Sequence, residues 1–239
     1  MESPHRVCLF TGISGTLGRD FAARYANAYD IVGVYNTTFP AVPVVSLDAS
    51  GQRDPDAIYA VQADLAEEGA VEEVVEKVLA RFASVDLLIP AAVFRRFGIM
   101  KNRGFTDTLV WQFYMNVCVP VRFASALTRK SWQHTPEENR ARGRNIVNLS
   151  STTGHHVYPK QSGYGATKAA LDLSTRHLAV ELADIGIRAN AVAPTTFPGL
   201  VSTESVSDAI VRYDRSECTG EVWVIDTGGE SPLIGAVPS

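Results

Sequence analysis

Cysteine, methionine and long apolar runs are all scarce in this chain, and each shortage excludes a class of protein. Cys8, Cys118 and Cys218 are the 3 cysteines in 239 residues. They are widely spaced, and two lie inside apolar segments, which reads as reduced core thiols rather than a disulfide framework or a zinc site. No metal is expected. Met1 to Arg6 lead into only the short apolar run Val7–Phe10 before Thr11 and Gly12 break it. That run is too short for a signal-peptide core, and no later segment approaches a membrane span. The expectation is a cytoplasmic protein with no membrane partner. Positive charge is not in excess either: 22 Lys and Arg face 26 Asp and Glu, a net charge of −4, which argues against nucleic acid as a partner. The one dense basic run, Arg140, Arg142 and Arg144, stands beside Glu137 and Glu138 and reads as a solvated loop.

What is present is ordinary globular material, 46% hydrophobic and 20% charged. Short β-branched runs alternate with segments of helical period, the pattern of a parallel sheet covered on both faces. The predicted strands are Val7–Phe10, Ile31–Tyr35, Ala60–Gln62, Leu87–Ile89, Asn145–Asn148, Arg188–Val192 and Glu221–Val224. The predicted helices are Thr16–Ala28, Glu67–Phe82, Asp107–Lys130, Tyr164–Asp184 and Ser205–Tyr213. No linker or internal repeat divides the chain, so residues 1–239 read as one α/β domain. The proline-bearing stretch Thr37–Pro55 is poor helix material and is expected to be irregular or to form a short strand.

Between the first strand and first helix lies Thr11-Gly12-Ile13-Ser14-Gly15-Thr16-Leu17-Gly18, a turn whose backbone N–H groups can hold a pyrophosphate. A turn of this kind also occurs with no ligand. The second strand ends Val34-Tyr35-Asn36-Thr37-Thr38. With no carboxylate there to repel an added ribose phosphate, NADP is favoured over NAD. No arginine supports that preference, and the alternative is a polar turn that says nothing about cofactor. Asp64 is a candidate acceptor for the adenine amino group or, equally, a cap for the helix near Glu67.

The strongest signal is Tyr164-Gly165-Ala166-Thr167-Lys168. It sets a phenol and an ammonium on one helical face, where the positive charge lowers the phenol's pKa and makes it a proton donor and acceptor. Upstream, the buried-strand pattern Ile146–Leu149 ends in the hydroxyls of Ser150 and Ser151, and Ser151 precedes Tyr164 by 13 residues. A loop of that length can return the chain beside the strand end.

Together with Ala63-Asp64-Leu65, Val85-Asp86-Leu87-Leu88-Ile89, Asn116, Ile187 to Pro194 and Asp226-Thr227-Gly228-Gly229, these motifs make nearly the whole chain resemble the short-chain dehydrogenase/reductase family. The resemblance implies a Rossmann-type doubly wound fold of about seven parallel strands flanked by helices. It also implies a homodimer or homotetramer joined through the two long helices. For the catalytic residues it implies that Tyr164 protonates the carbonyl oxygen as hydride arrives and that Ser151 hydrogen-bonds that oxygen. Lys168 would hold the nicotinamide ribose and depress the Tyr164 pKa, and Asn116 would anchor a proton-relay water. The cofactor would lie along Gly12, Ser14, Gly15, Thr16, Leu17 and Gly18, then Tyr35, Asn36 and Thr37, with Asp64, Leu65, Ala91, Ala92, Pro194 and Thr195 completing the site beside Tyr164 and Lys168. Taken one at a time, each catalytic residue has a structural alternative: a buried amide, a strand-end hydroxyl, a half-buried aromatic and a surface cation.

The sequence departs from the family pattern at three places. Thr16 stands where the second glycine is usual, Pro90-Ala91-Ala92-Val93 replaces Asn-Asn-Ala-Gly, and Thr195 replaces a glycine. The segment after Pro194 is short, so a reduced substrate lid is expected. Arg95 and Arg96 follow the fourth predicted strand, and His155, His156 and Tyr158 lie between Ser151 and Tyr164. The expected substrate is a small carbonyl or alcohol, an anionic or polyhydroxylated aromatic or polyketide-like molecule with an arginine pairing to its acidic group; the alternative is that the arginines turn to solvent and the histidines pack the loop. Three functional classes follow: an NAD(P)-dependent oxidoreductase, a non-redox enzyme using Tyr164 for proton transfer, dehydration or cyclisation, and a dinucleotide sensor or scaffold without turnover.

Overall fold

Along the first strand, Arg6–Thr11 (β1), side chains alternate between two separate apolar layers. Val7 and Leu9 enter one layer while Cys8 and Phe10 enter the other, so both faces of the sheet must be covered. In a computed structural model describing residues 5–47 and 56–234, this is what happens. The other strands are Tyr29–Tyr35 (β2), Val44–Ser46 (β3), Ile58–Gln62 (β4), Leu87–Pro90 (β5), Asn145–Leu149 (β6), Arg188–Pro194 (β7), Val222–Asp226 (β8) and Gly229–Ile234 (β9). They form one sheet in the order β3-β4-β2-β1-β5-β6-β7-β8-β9. All neighbours are parallel except the hairpin of β8 and β9.

The helices are Thr16–Tyr25 (α1), Ala70–Phe82 (α2), Phe105–Phe113 (α3), Val119–Lys130 (α4), Pro136–Arg142 (α5), Ser162–Glu181 (α6) and Thr203–Arg215 (α7). Val71, Val74, Val75 and Val78 of α2 join Phe123 and Leu127 of α4 over one face. Leu17 and Phe21 of α1 join Val206 and Ile210 of α7 over the other.

Several expectations need correction. Nine strands, rather than about seven, are present among the described residues. The extra ones are β3, the short strand allowed for in the proline-bearing stretch, and β9, which was not expected because its Gly-Glu-Ser-Pro start carries little strand signal. Residues 48–55 of that stretch lie outside the described residues. The predicted helix Asp107–Lys130 is helical but not uniform: Tyr114–Cys118 is a π-helical turn in which Val119 N–H reaches back to the Tyr114 carbonyl. Pro120, early in α4, has no N–H to offer the Asn116 carbonyl, which breaks the regular ladder there. Helix α2 begins at Ala70 rather than Glu67, after Gly69 at φ +81°, and α1 ends at Tyr25 rather than Ala28.

The basic run is not a solvated loop. Arg144 is fully buried, and Arg142 and Arg144 both pair with the buried Asp86, which also accepts from Val7 N–H at 2.9 Å. This ionic knot ties β1, β5 and α5 together at the amino ends of the strands, opposite the cleft described below. Cys8 is buried and Cys118 exposed, so only one of the two thiols in apolar segments is a core residue. All three are free.

Candidate active site

Chain order reverses between β1 and β5, and a crevice opens beyond the carboxyl ends of the strands there, the usual ligand position in open α/β sheets. A cleft of about 710 Å³ occupies it, within the range of small-molecule and cofactor sites. Its floor is the turn from β1 into α1. Gly12 sits at φ +77°, and a Cβ there would lie 2.9 Å from the Ala92 Cα, so β1 and the chain leaving β5 approach closely only because this residue is glycine. Gly18 is similarly tight over Ile13, where a Cβ would lie 2.3 Å from the Ile13 carbonyl oxygen. Thr11 Oγ1 accepts from Ala92 N–H at 3.0 Å. That bond is one side-chain tie between these strand ends, although Pro90-Ala91-Ala92-Val93 carries no side-chain amide.

Gly15, in extended conformation, precedes α1 with no side-chain cap, and no acidic residue occupies the first turn. The backbone amides of that turn therefore face the cleft with partial positive charge. Gly12, Gly15, Thr16, Leu17 and Gly18 all line the cleft; Ser14 does not, and its hydroxyl bonds the Thr38 carbonyl at 2.5 Å. These features fit a dinucleotide pyrophosphate. At the end of β2, Asn36 and Thr37 are exposed and Tyr35 packs edge-on against Phe39. Asp64 Oδ1 accepts from Ala66 N–H at 3.0 Å, a local turn rather than a cap on α2. Tyr35, Asn36, Thr37, Asp64, Leu65 and Ala92 stand outside the cleft lining, whereas Ala91, Pro194 and Thr195 belong to it.

The catalytic candidates meet at the other wall. Ser151 follows β6 and caps the short turn Thr152–Gly154 by accepting from Thr153 N–H. Tyr164 and Lys168 share one face of α6. Two glycines missed by the sequence analysis bring these pieces together: a Cβ on Gly165 would lie 2.6 Å from the Thr153 carbonyl oxygen, and one on Gly154 would lie 2.9 Å from Ala169 N. Small residues at both positions let the turn lie directly on the helix, which sets the Ser151 hydroxyl near enough to the Tyr164 phenol to act on its pKa.

Burial raises the Tyr164 pKa, while the positive charge of Arg95 and the neighbouring Ser151 hydroxyl pull it back. Lys168 is buried, donates to the Leu149 carbonyl at 2.6 Å, and lies 5.6 Å from the Tyr164 ring centroid. Burial lowers its pKa to about 8, with Asp172 opposing that fall and Arg95 adding to it. Asp172, one turn further along α6, bonds His155 Nε2 at 2.7 Å. His155 is thus committed to the helix behind Lys168, and neither it nor His156 lines the cleft; Tyr158 does.

Asn116 lies in the π-helical turn, buried, and is not part of the cleft lining. Its Oδ1 accepts from Phe94 N–H at 2.9 Å, and its amide donates to the Phe94 carbonyl at 3.0 Å and to Thr167 Oγ1 at 3.1 Å. No donor remains on that side chain for a water. Of the arginines after β5, Arg95 lines the cleft and Arg96 does not. Phe97, Gln161, Thr196 and Phe197 also line it, and the sequence carried no signal for them. From Thr195 the chain reaches α7 by a short loop closed by the Ser202 cap.

Comparison with known proteins agrees with this geometry. A family model described as short chain dehydrogenase matches residues 6–210. The chain is 30% identical over 236 residues to 3-oxoacyl-[acyl-carrier-protein] reductase FabG of Staphylococcus aureus, covering 97% of this chain and 89% of that protein. It is 27% identical over 212 residues to glucose 1-dehydrogenase 2 of Bacillus subtilis, covering 89% and 78%. Among solved structures, the Pseudomonas aeruginosa RhlG/NADP active-site complex superposes with a TM-score of 0.77 at 19% identity, covering 95% of this chain and 97% of that one. Acetoin dehydrogenase from Enterobacter cloacae gives 0.74 at 22%, covering 95% and 96%. No helix among the described residues is long and apolar enough to cross a membrane.

Proposed function

Because the chain belongs to the short-chain dehydrogenase family, we propose that this NAD(P)H-dependent oxidoreductase interconverts a small-molecule ketone or aldehyde and its alcohol, with NADPH as the preferred cofactor. The observation that carries the reading is the meeting of Ser151, Tyr164 and Lys168 in one cleft with the uncapped start of α1. When bound, the nicotinamide supplies or accepts the hydride. In the reducing direction Tyr164 gives its proton to the carbonyl oxygen, and Ser151 donates a hydrogen bond to the same oxygen as negative charge develops on it. Lys168 would hold the nicotinamide ribose when the cofactor binds and, when protonated, would stabilise the tyrosinate left behind.

Asn116 acts through position rather than contact with the reacting atoms, by pinning Phe94 and the chain beyond it to α6 through Thr167. The NADPH preference rests on the absence of a carboxylate at Tyr35–Thr37, and the name of the RhlG/NADP complex, a structural neighbour, agrees with it. Calorimetric titration with NADPH and NADH tests the reading. Micromolar NADPH binding, weaker NADH binding, and a Tyr164→Phe variant that keeps the binding but loses about 10²–10⁴-fold in turnover are expected. Absence of binding by either nucleotide refutes it.

A further inference from the structure

The chain leaving β5 runs along the cleft in extended form, and alternate residues Ala91, Val93, Arg95 and Phe97 face into it. This period-two alternation separates Arg95 from Arg96. The run is pinned at two points. Both backbone polar groups of Phe94 bond the buried Asn116 side chain, and Gly98 N–H bonds the Lys160 carbonyl at 2.9 Å. Arg95 therefore projects from a fixed backbone.

Its guanidinium carbon stands 5.6 Å from the Phe97 ring centroid, and Phe97 in turn packs edge-on against Tyr164 at 6.3 Å. Among the described residues no Asp or Glu lines this cleft and Arg95 has no ion-pair partner. A cation is held beside the reacting phenol with aromatic support and nothing of opposite charge to neutralise it. Its field reaches both Tyr164 and Lys168. The run starts against the glycine turn and leads away from it, so Arg95 sits at the substrate end of the cleft rather than over the pyrophosphate position.

We propose that Arg95 and Phe97 form a carboxylate subsite, so that the substrate is an oxo acid whose carboxylate pairs with Arg95 while its carbonyl lies at Ser151 and Tyr164. The apolar body between the two groups packs against Phe97, Tyr158 and Phe197. Arginine suits this task because its planar fork can offer two parallel N–H donors to a carboxylate. The inference rests on the reductase reading for where the carbonyl lies.

The test uses matched pairs of oxo acids and their methyl esters, which keep the carbonyl and differ in charge. With NADPH, the wild-type protein should show a kcat/KM for the acid about tenfold or more above that for the ester. Arg95→Ala should remove this preference, lowering the acid's kcat/KM by about 10- to 100-fold and the ester's by less than about threefold. Arg95→Lys should restore part of it, and Arg96→Ala should leave both substrates unchanged. Equal losses for acid and ester in Arg95→Ala overturn the subsite and assign Arg95 to tuning Tyr164. No acid preference in the wild type also overturns it. A binding measurement keeps the question separate from turnover: titrating the non-reacting hydroxy acid and its ester, followed by protein fluorescence, should show acid-selective binding that Arg95→Ala abolishes. Acid-selective binding without carbonyl reduction would retain the subsite and reject the reductase reading; no selectivity alongside normal reduction would do the reverse.

Discussion

Replacing Lys168 by methionine isolates the cost of keeping a charge in the wall of the cleft. The side chain is buried, and its pKa falls from 10.5 to about 8 because burial disfavours the ammonium. At about 1.4 kcal/mol per pH unit, holding it protonated costs roughly 3 kcal/mol of folding stability at pH 7. The folded pKa lies below the unfolded one, so the penalty is fully present below pH 8. Between pH 8 and 10.5 the unfolded chain keeps a proton that the folded protein has released, and stability rises with pH there.

The methionine variant has nothing to titrate at this position. The lost bond to the Leu149 carbonyl and any change in packing enter as a constant offset. The stability of wild type relative to Lys168→Met should therefore climb by about 1.4 kcal/mol per pH unit from pH 8, about 2–3 kcal/mol by pH 10. Two charges act on Lys168: Asp172 partly opposes the shift and Arg95 adds to it, while the neighbouring Tyr164 has its own pKa raised by burial. Reversible urea unfolding of both proteins at half-unit pH steps measures the difference. A difference flat across pH 7–10 would refute a buried, shifted ammonium. The same titration should appear in turnover, with kcat/KM for reduction falling above pH about 8 as Lys168 loses its charge.

Two further predictions concern the scaffold. Asp86→Ala removes the buried carboxylate shared by Arg142 and Arg144, leaving the buried Arg144 with Glu138 as its one carboxylate, and should cost about 3–5 kcal/mol at pH 7 by urea unfolding. Burial pushes the Asp86 pKa up, but the hydrogen bonds from Arg142 and Val7 N–H outweigh it and hold the carboxyl below its ordinary value. Its contribution is present above the unfolded carboxyl pKa and should fade as pH drops through the lower folded one; equal losses at pH 7 and pH 3 would contradict the ion-pair account. Gly165→Ala places a methyl group 2.6 Å from the Thr153 carbonyl oxygen. The expected result is a loss of about 1–3 kcal/mol with turnover falling further than cofactor affinity, because the Ser151 turn is pushed off α6.

Much of this protein was legible in one dimension because its signals are local. The alternation of Val7, Leu9 and Cys8, Phe10 announced a strand covered on both faces, and Tyr164 with Lys168 needed only a helix to share a face. The glycine turn was likewise legible, since backbone amides at the start of a helix bind anions whatever the side chains are. What stayed hidden depends on contacts between distant segments. Arg144 reads as solvated until Asp86, Glu138 and Asn139 close around it, and a charge's surroundings are not written in its neighbours along the chain. β9 exists because β8 offers it an edge. Asn116 was legible as a site residue, but the clamp its side-chain amide makes between Phe94 and Thr167 was not. Sequence also set Arg95 and Arg96 side by side as equals, and the extended run pinned by Asn116 turned only the first toward Tyr164. The sequence thus determined which chemical groups the chain carries and which elements hold them, because periodicity and turn chemistry act over a few residues. Which of those groups face one another, and at what pKa, was decided by tertiary packing, because burial and pairing act through space.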